Sequence, residues 1–320
     1  MADRMQSQRD HGGRLDAAVA RYGGTRDQWI DLSTGINPQP YPIGPIPAAA
    51  WTDLPDEGAT TAFCTAARRF WSVPEGAALL PVPGLSAAIA QIPYLRPPGR
   101  FRIDDPTYNE HAAAFLAAGW PRTTDTPADA HTVVHPNNPD GRWTDPADID
   151  APLSIIDESF CDTAPEHSLI DRATRPGTLI LKSFGKFWGL AGLRLGAVIG
   201  DAQLVQALAE RLGPWPVSGP ALSIGARALT AVNWADDTRE LLTAEADRLD
   251  TAVLATGATL TGGTPLFRLY DHPQAAALHR HLAERHIWTR LFPWSPTAIR
   301  LGLPGSEDWP RVLAALAEPR

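Results

Sequence analysis

Lysine is rare in this chain. Lys182 and Lys186 stand against 26 arginines. Arginine can fulfil most surface roles of lysine, but it cannot act where a neutral primary amine must attack a carbonyl carbon. The composition therefore predicts a nucleophilic amine at one of these two positions, with retention by chance as the alternative for Lys182.

The surroundings of Lys186 favour it as that nucleophile. Residues 183–196 read S-F-G-K-F-W-G-L-A-G-L-R-L-G, an apolar and glycine-rich stretch around one lysine and one arginine. Apolar surroundings disfavour an ammonium ion, so we expect the pKa of Lys186 to be lowered. Arg194, eight residues further on, could bind a phosphate. A surface loop with two cations is the alternative, and the many apolar neighbours argue against it.

Other polar residues follow short apolar runs. Asp157 ends the run P-L-S-I-I and could hold a proton on a buried ring nitrogen, or it could cap a strand end. Gly84, Leu85 and Ser86 open a helix after a strand, where free N–H groups and the helix dipole suit a phosphate. An ordinary helix start is the alternative for these three residues.

Asn138 and Tyr108 are weaker signals when each is taken alone. Asn138 lies in the turn P-N-N-P-D-G, which the turn chemistry of these residues explains by itself. Tyr108 follows Pro106 and Thr107 and could stack on a planar ligand, although a half-buried tyrosine is commoner.

These residues lie in a repeated pattern in which a strand is followed by a polar turn and then by a helix. It predicts an α/β domain with a mostly parallel sheet, in which ligands bind beyond the carboxyl ends of the strands. A smaller α+β domain should follow, and a Pro-rich arm over 38–47 should run extended. We expect an N-terminal arm (1–47), a large domain (48–215) and a small domain (216–320). Helices are predicted near 14–22, 58–71, 202–212, 219–233, 236–256, 273–285 and 308–317, and later strands near 266–270, 287–291 and 298–302.

Composition excludes several classes of function. The net charge of −8 argues against a nucleic-acid binder that works by bulk charge. There is no apolar run of 18 residues to span a membrane, and the polar N-terminus is unlike a secretory signal. Cys64 and Cys161 are too few for a disulfide scaffold or a cysteine-built metal site, so we expect no metal and a cytoplasmic location.

Taken in order, these motifs resemble the class I/II aminotransferase family, pyridoxal 5′-phosphate (PLP) enzymes of fold type I. The motifs are Tyr108, Asn138-Pro139-x-Gly141, Asp157-Glu158 and Ser183-x-x-Lys186 with Arg194. The resemblance implies a seven-stranded, mostly parallel sheet between helices and a homodimer. It further implies that Lys186 binds PLP covalently, Asp157 holds the pyridine nitrogen protonated, Asn138 hydrogen-bonds the 3-hydroxyl oxygen and Tyr108 stacks on the ring. The 5′-phosphate would be held by Gly84, Leu85, Ser86, Ser183 and Arg194.

The ends of the chain resemble one branch of that family. H-G-G-R at 11–14, W-I-D-L-S-T-G-I-N-P at 29–38 and I-R-L-G-L-P at 299–304 are similar to decarboxylases that serve cobalamin biosynthesis. That similarity implies decarboxylation of L-threonine O-3-phosphate to (R)-1-amino-2-propanol O-2-phosphate. Phe160, where many aminotransferases carry tyrosine, supports this branch.

By the same resemblance, Arg300 should bind the substrate carboxylate, with Asn37 and the Gly35 backbone beside it. His11 and Arg290 are the candidates for the substrate phosphate. A disordered N-terminal residue is the alternative for His11.

Two rival functions stay open. The same residues could serve an aminotransferase of histidinol-phosphate type. A non-catalytic PLP-fold regulator or assembly partner is the second alternative, and the intact Lys186, Asp157 and Asn138 argue against it. The chain departs from related aminotransferases at Gly185, where a hydroxyl residue often precedes the lysine, and at Leu54, where a tyrosine reaches the partner's cofactor. Asp157 lies only 19 positions after Asn138, which leaves room for a short crossover helix at most.

Overall fold

The computed structural model describes residues 12–318 of the chain. Its helices are α1 (Leu15–Tyr22), α2 (Ala49–Thr52), α3 (Glu57–Phe70), α4 (Leu85–Gln91), α5 (Asn109–Ala117), α6 (Ala202–Leu212), α7 (Gly219–Thr230), α8 (Val232–Leu254), α9 (Ala275–Ala283) and α10 (Trp309–Ala317). Its strands are β1 (Ile30–Asp31), β2 (Ala78–Val82), β3 (Phe101–Ile103), β4 (Ala130–Val134), β5 (Leu153–Asp157), β6 (Thr178–Ser183), β7 (Gly196–Gly200), β8 (Thr259–Thr264), β9 (Phe267–Asp271), β10 (Ile287–Trp288), β11 (Arg290–Phe292) and β12 (Ser295–Gly302).

Several helices begin where a short polar side chain satisfies a free N–H group of the first turn. Asp56 accepts a hydrogen bond from the N–H of Ala59 at the start of α3. Asp201 caps α6 through two N–H groups, and Ser218 caps α7. Such caps set helix starts locally, which explains why the predicted starts of α3 and α6 agree with the structure within a residue.

The central sheet has the order β2-β7-β6-β5-β4-β3. Strands β3 to β6 pair in parallel, whereas β7 is antiparallel to both of its neighbours. Alternate side chains enter two hydrophobic cores: Ile156 packs in the core with α3, α7 and α8, and Ile155 packs in the core with α4 and α6. A sheet covered on both faces needs continuous apolar strands, as in β5, so the predicted α/β class with a mostly parallel sheet is confirmed.

The prediction of seven strands is wrong in number, because the central sheet contains six within residues 12–318. At the position beside β3 where a seventh would lie, Arg122 forms an isolated parallel bridge with Phe101. Two backbone hydrogen bonds tie Phe101 to Pro121 and Thr123. Pro121 has no N–H group to extend a ladder, so this edge stays too short to count as a strand.

A second sheet, antiparallel and ordered β11-β12-β9-β8, follows in the C-terminal part. Strand β8 was not predicted, and its sequence T-L-T-G-G-T lacks clear apolar alternation. Parallel pairing of β1 with β10 brings the N-terminal segment against this part. The Pro-rich arm between β1 and α2 has no regular secondary structure over residues 38–46. The domain boundaries themselves remain a prediction.

Two smaller expectations concern the crossover and the membrane. Between Asn138 and Asp157 the crossover holds one turn of 3₁₀-helix, Pro146–Asp148, as the short gap predicted.

Within residues 12–318 none of the helices combines the length and the apolarity that crossing a bilayer requires.

Candidate active site

The predicted site residues meet at the carboxyl ends of β5 and β6. There they line a cavity of about 130 Å³ that includes Lys186, Asp157, Tyr108, Asn138 and Arg194. Parallel strands end at the same edge of a sheet, so residues distant in sequence converge there. Gly84, Leu85, Ser86 and Ser183 line the same cavity, which therefore contains every residue that the resemblance assigned to the cofactor.

Lys186 is partly buried in the loop after β6, with its Nζ 5.4 Å from the centre of the Phe160 ring. The pKa of its amine is lowered to about 8, first by burial and then by the positive charge of Arg300. A substantial fraction of the amine is therefore neutral near pH 8, as nucleophilic attack on a carbonyl requires.

The N-terminal arm holds the Lys186 loop through the backbone. The Asn37 N–H donates to the carbonyl oxygen of Lys186 at 3.0 Å, and the Tyr41 N–H donates to that of Trp188 at 2.9 Å. Gly189 has φ +68°, and a Cβ there would lie 2.7 Å from the Cα of Pro40. Glycine at 189 therefore permits the close approach of the arm.

The side chain of Asn37 serves this same contact. It is 2% exposed, donates from Nδ2 to the carbonyl oxygen of Phe187 at 2.9 Å, and accepts the Gln39 N–H at its Oδ1. Asn37, expected beside the substrate carboxylate, does not line the cavity that Gly35 lines together with Lys186.

Asp157 lies at the end of β5 and is 3% exposed. Its Oδ2 is 2.8 Å from Nε2 of His111, and its Oδ1 accepts both the N–H and the hydroxyl of Ser159. Burial alone would raise the pKa of Asp157, but the hydrogen bonds and charge of these partners outweigh burial and hold that pKa below its usual value. A buried carboxylate that stays charged can keep a ring nitrogen protonated.

His111 and Ser159 were missed by the sequence analysis. His111 lies three residues after Tyr108 at the start of α5, and its ring is edge-on to that of Tyr108 with centroids 5.9 Å apart. Tyr108 is the N-cap residue of α5 and His111 lies in its first turn, so the two side chains are close. The spacing of His111 from Tyr108 was the only sequence signal for His111. It gave no indication that His111 contacts Asp157, 46 residues further along the chain.

A cradle for an anion lies at the other end of the cavity. Gly84 has φ +76°, and a Cβ at this position would lie 2.6 Å from Nη2 of Arg194. Helix α4 begins at Leu85, so the N–H groups of Leu85 and Ser86 have no acceptor within the helix, whereas the Ala87 N–H donates to the carbonyl oxygen of Gly84. Ser183 accepts the Gly185 N–H at its Oγ, and Gly185 adds no hydroxyl of its own.

A second cavity of about 380 Å³ adjoins the first and shares Lys186, Tyr108 and Asn138 with it. Arg290 and Arg300 line it, as does Glu110, which was not predicted. Arg300 is 2% exposed and donates to the carbonyl oxygen of Ser33 at 2.7 Å and to Oδ1 of Asn138. His11 lies outside the described residues.

These groups fit PLP. An amine with a lowered pKa can bind its aldehyde, a buried carboxylate can pair with its pyridinium, and a guanidinium beside a helix start can hold its phosphate. The Gly84 position, which a Cβ would fill, leaves room for that phosphate beside Arg194.

Comparison with known proteins agrees with this geometry. The family model described as aminotransferase class I and II matches residues 126–315. Threonine-phosphate decarboxylases of a Sinorhizobium species and of Pseudomonas aeruginosa are each 41% identical over 96% of this chain and 97% of their own length. This chain belongs to the class I and II aminotransferase family.

Solved structures share the fold. The histidinol-phosphate aminotransferase of Sinorhizobium meliloti, in complex with pyridoxal 5′-phosphate, aligns with a TM-score of 0.81 over 99% of this chain and 97% of that one. Its sequence is 17% identical, so this likeness bears on the fold alone.

Proposed function

We propose that this protein is a PLP-dependent carboxy-lyase that converts L-threonine O-3-phosphate to (R)-1-amino-2-propanol O-2-phosphate and CO2 for cobalamin biosynthesis. The observation that carries the proposal is the joint position of Arg290 and Arg300 on one cavity with the amine of Lys186. Two guanidinium groups suit a substrate with a carboxylate at one end and a phosphate at the other. The relatives at 41% identity that carry this activity in their names support it.

Each cofactor contact has a candidate. Lys186 would bind PLP covalently, Asp157 would pair with the ring nitrogen, and Tyr108 would lie against the ring. Because Oδ1 of Asn138 accepts from Arg300, its Nδ2 is the atom that would donate to the 3-hydroxyl oxygen. Gly84, Leu85, Ser86, Ser183 and Arg194 would hold the phosphate. When bound, PLP supplies an electron sink for the bond that breaks at Cα.

The protein's contribution to the reaction is orientation and proton transfer. Arg300 would hold the substrate carboxylate so that the Cα–carboxylate bond stands perpendicular to the ring plane. Its buried, doubly anchored guanidinium has little freedom, which suits this role. Arg290 would hold the phosphate end, with His11 as a further candidate. In its protonated form, with a proton taken from the substrate's ammonium group, Lys186 would be the group that delivers a proton to Cα after CO2 leaves.

The charges of the cavity favour this substrate class. Arg300, Arg290 and Arg194 all lower the pKa of Lys186, although less than burial does. The same positive potential attracts a substrate with two anionic ends into a chain whose net charge is −8.

Product analysis tests the reaction. Purified protein saturated with PLP is incubated with L-threonine O-3-phosphate, and CO2 and the phosphorylated amine are quantified. We expect equal amounts of both products, with the cofactor remaining in its aldehyde form. A keto acid formed without CO2, together with pyridoxamine phosphate, would identify an aminotransferase of histidinol-phosphate type instead. Absence of turnover with both L-threonine O-3-phosphate and histidinol phosphate would favour a non-catalytic PLP-fold protein.

Substitution of the lysine is the matched control. Lys186→Arg keeps the positive charge but removes the primary amine, so it should abolish the visible absorption band of bound PLP and lower activity by about a thousandfold or more. Retention of that band would contradict the role of Lys186.

We further propose a homodimer and a cytoplasmic location. Three large apolar side chains are mostly exposed: Trp51 (69%), Leu54 (66%) and Trp215 (58%). Trp51 belongs to α2, which packs on α7, and Trp215 lies just before α7. A second copy of the chain is the partner that we propose for this surface. The free cysteines Cys64 and Cys161 suit a reducing compartment.

A further inference from the structure

The other lysine, Lys182, lies in a sealed polar cluster behind the site. Its Nζ is 2.5 Å from Oε2 of Glu158 and 3.9 Å from Oδ1 of Asp162. All three side chains are almost completely buried. Glu158 also accepts the hydroxyl of Ser168 and the N–H of Leu169, both at 2.6 Å. The cluster is defined as Lys182, Glu158 and Asp162.

The cluster belongs to the two strands that carry the reactive groups. Glu158 directly follows Asp157, and Lys182 precedes Lys186 by four residues. Side chains alternate across a strand, so Glu158 and Lys182 point to the face opposite Asp157 and Ser183. The Glu158 N–H donates to the carbonyl oxygen of Leu181 at 2.9 Å, so backbone and ion pair join the same two chain segments.

Asp162 extends the cluster to the Lys186 loop. Its Oδ2 accepts the indole N–H of Trp188 at 3.0 Å, and its Oδ1 accepts that of Trp71 at 2.9 Å. Trp188 lies two residues after Lys186, is fully buried, and stacks on Trp234 with ring centroids 5.3 Å apart. One hydrogen bond therefore connects the cluster with the loop that bears the reactive amine.

Stability alone does not account for such a cluster. Burying an ion pair costs desolvation of both charges, and replacement by apolar residues is often neutral or stabilising. What a buried pair can supply is a defined position for the segments that carry it. Here those segments carry Asp157 and Lys186.

We propose that Lys182, Glu158 and Asp162 are positioning residues that hold the Lys186 loop in register with Asp157, so that the amine stays inside the apolar cavity. The inference rests on the proposed covalent binding of PLP by Lys186. Without the cluster the loop would move and the amine would gain access to water. The affinity for PLP should then fall and the pKa of Lys186 should rise toward its ordinary value.

The test uses the PLP-loaded protein and the double variant Lys182→Met/Glu158→Gln, which removes both charges together. Two quantities are measured: the dissociation constant of PLP, and the pH midpoint of its visible absorption band. We expect the dissociation constant to rise at least tenfold. The midpoint, which reports protonation of the nitrogen that Lys186 supplies, should rise by half a pH unit or more. The matched control is Arg268→Met/Asp250→Asn, a largely buried pair with a 2.6 Å contact between β9 and α8. It should leave both quantities as in the wild type.

A milder pair of variants keeps the test decisive if the double variant does not fold. Trp188→Phe removes the hydrogen bond between Asp162 and the Lys186 loop, whereas Trp71→Phe removes the other indole bond to the same carboxylate. Only Trp188→Phe should move the pH midpoint. Equal spectra for Trp188→Phe and Trp71→Phe, or a folded double variant that behaves like the Arg268/Asp250 control, would overturn the inference. A wild-type protein without a visible band would instead refute the proposed function.

Discussion

At the residue scale, the site shifts the pKa values of two groups by different causes. The pKa of Lys186 is lowered to about 8, first by burial and then by the positive charge of Arg300. Asp157 is buried, yet hydrogen bonds from His111 and Ser159 keep its pKa below the usual value. A neutral amine beside a charged carboxylate is the combination that PLP chemistry needs.

The first prediction at this scale concerns Arg300. Among the charged groups, Arg300 has the largest effect in lowering the pKa of Lys186. Arg300→Met removes this charge, so this pKa should rise by about half a unit or more. In the wild type, the rate at which the PLP-free protein captures PLP should increase from pH 7 to pH 9, with a midpoint near 8. The variant should show its midpoint at higher pH. Arg285→Met, which removes a partly exposed surface charge, should leave the midpoint unchanged.

The second prediction concerns His111. His111→Leu removes the 2.8 Å contact with Asp157 and leaves burial as the dominant influence on that carboxyl, whose pKa should rise. A protonated Asp157 no longer stabilises the pyridinium, so we expect kcat to fall by about 10- to 100-fold. Steady-state kinetics and the absorption spectrum of bound PLP measure both effects. Unchanged kcat in a folded variant would show that the hydrogen bonds from Ser159 alone keep Asp157 charged.

At the element scale, the segment 37–46 and the Lys186 loop form one unit. This segment lacks regular secondary structure, so its N–H groups are available to the carbonyl oxygens of Lys186 and Trp188. The side chain of Asn37 adds a bond to Phe187 in the same place. A loop without helix or strand is thereby fixed by a segment about 150 residues away.

Gly189 gives the prediction at this scale. Gly189→Ala would place a Cβ 2.7 Å from Pro40 Cα and 2.8 Å from the Asn37 carbonyl oxygen, at φ +68°. We expect a loss of about 3 kcal/mol or more in the free energy of unfolding, together with weaker PLP binding. Denaturant titration and PLP titration measure the two effects. Gly76→Ala, at φ +87° with open space around it, should cost only about 1–2 kcal/mol and leave PLP binding unchanged.

At the scale of the whole molecule, the site lies where two sheets meet. The central sheet contributes Asp157 and the strand that leads to Lys186, whereas the C-terminal sheet contributes Arg290 on β11 and Arg300 on β12. The contact of Arg300 with Asn138 joins the two parts across the cavity. Substrate recognition therefore depends on how these parts pack together.

Assembly gives the prediction at this scale. Trp215→Glu places a charge in the exposed apolar surface around α2 and α7, so it should halve the molar mass measured by light scattering of the eluting protein. Trp294→Glu, at a similarly exposed tryptophan on the β11–β12 turn, should leave the mass unchanged. A wild-type protein that elutes as a monomer would contradict the proposed dimer.

Local patterns explain how much of the fold could be predicted. Apolar periodicity and a cap residue are properties of short segments, so the predicted 202–212 agrees with α6, and 14–22 agrees with α1 within a residue. Strand β8 was missed because T-L-T-G-G-T gains its ladder only from β9. The seventh strand was expected by resemblance, and Pro121 limits it to a single bridge.

By itself, the sequence determined the chemistry. One lysine in an apolar segment, an aspartate at a strand end and an arginine beside a glycine turn define what can react, because these are properties of residue types and short spacings. Tertiary structure alone decided which groups support them. His111 meets Asp157 across 46 residues, Arg300 meets Asn138 across 162, and Asn37 serves the backbone of the Lys186 loop. Such partners depend on strand order and packing between distant segments, which no local pattern records.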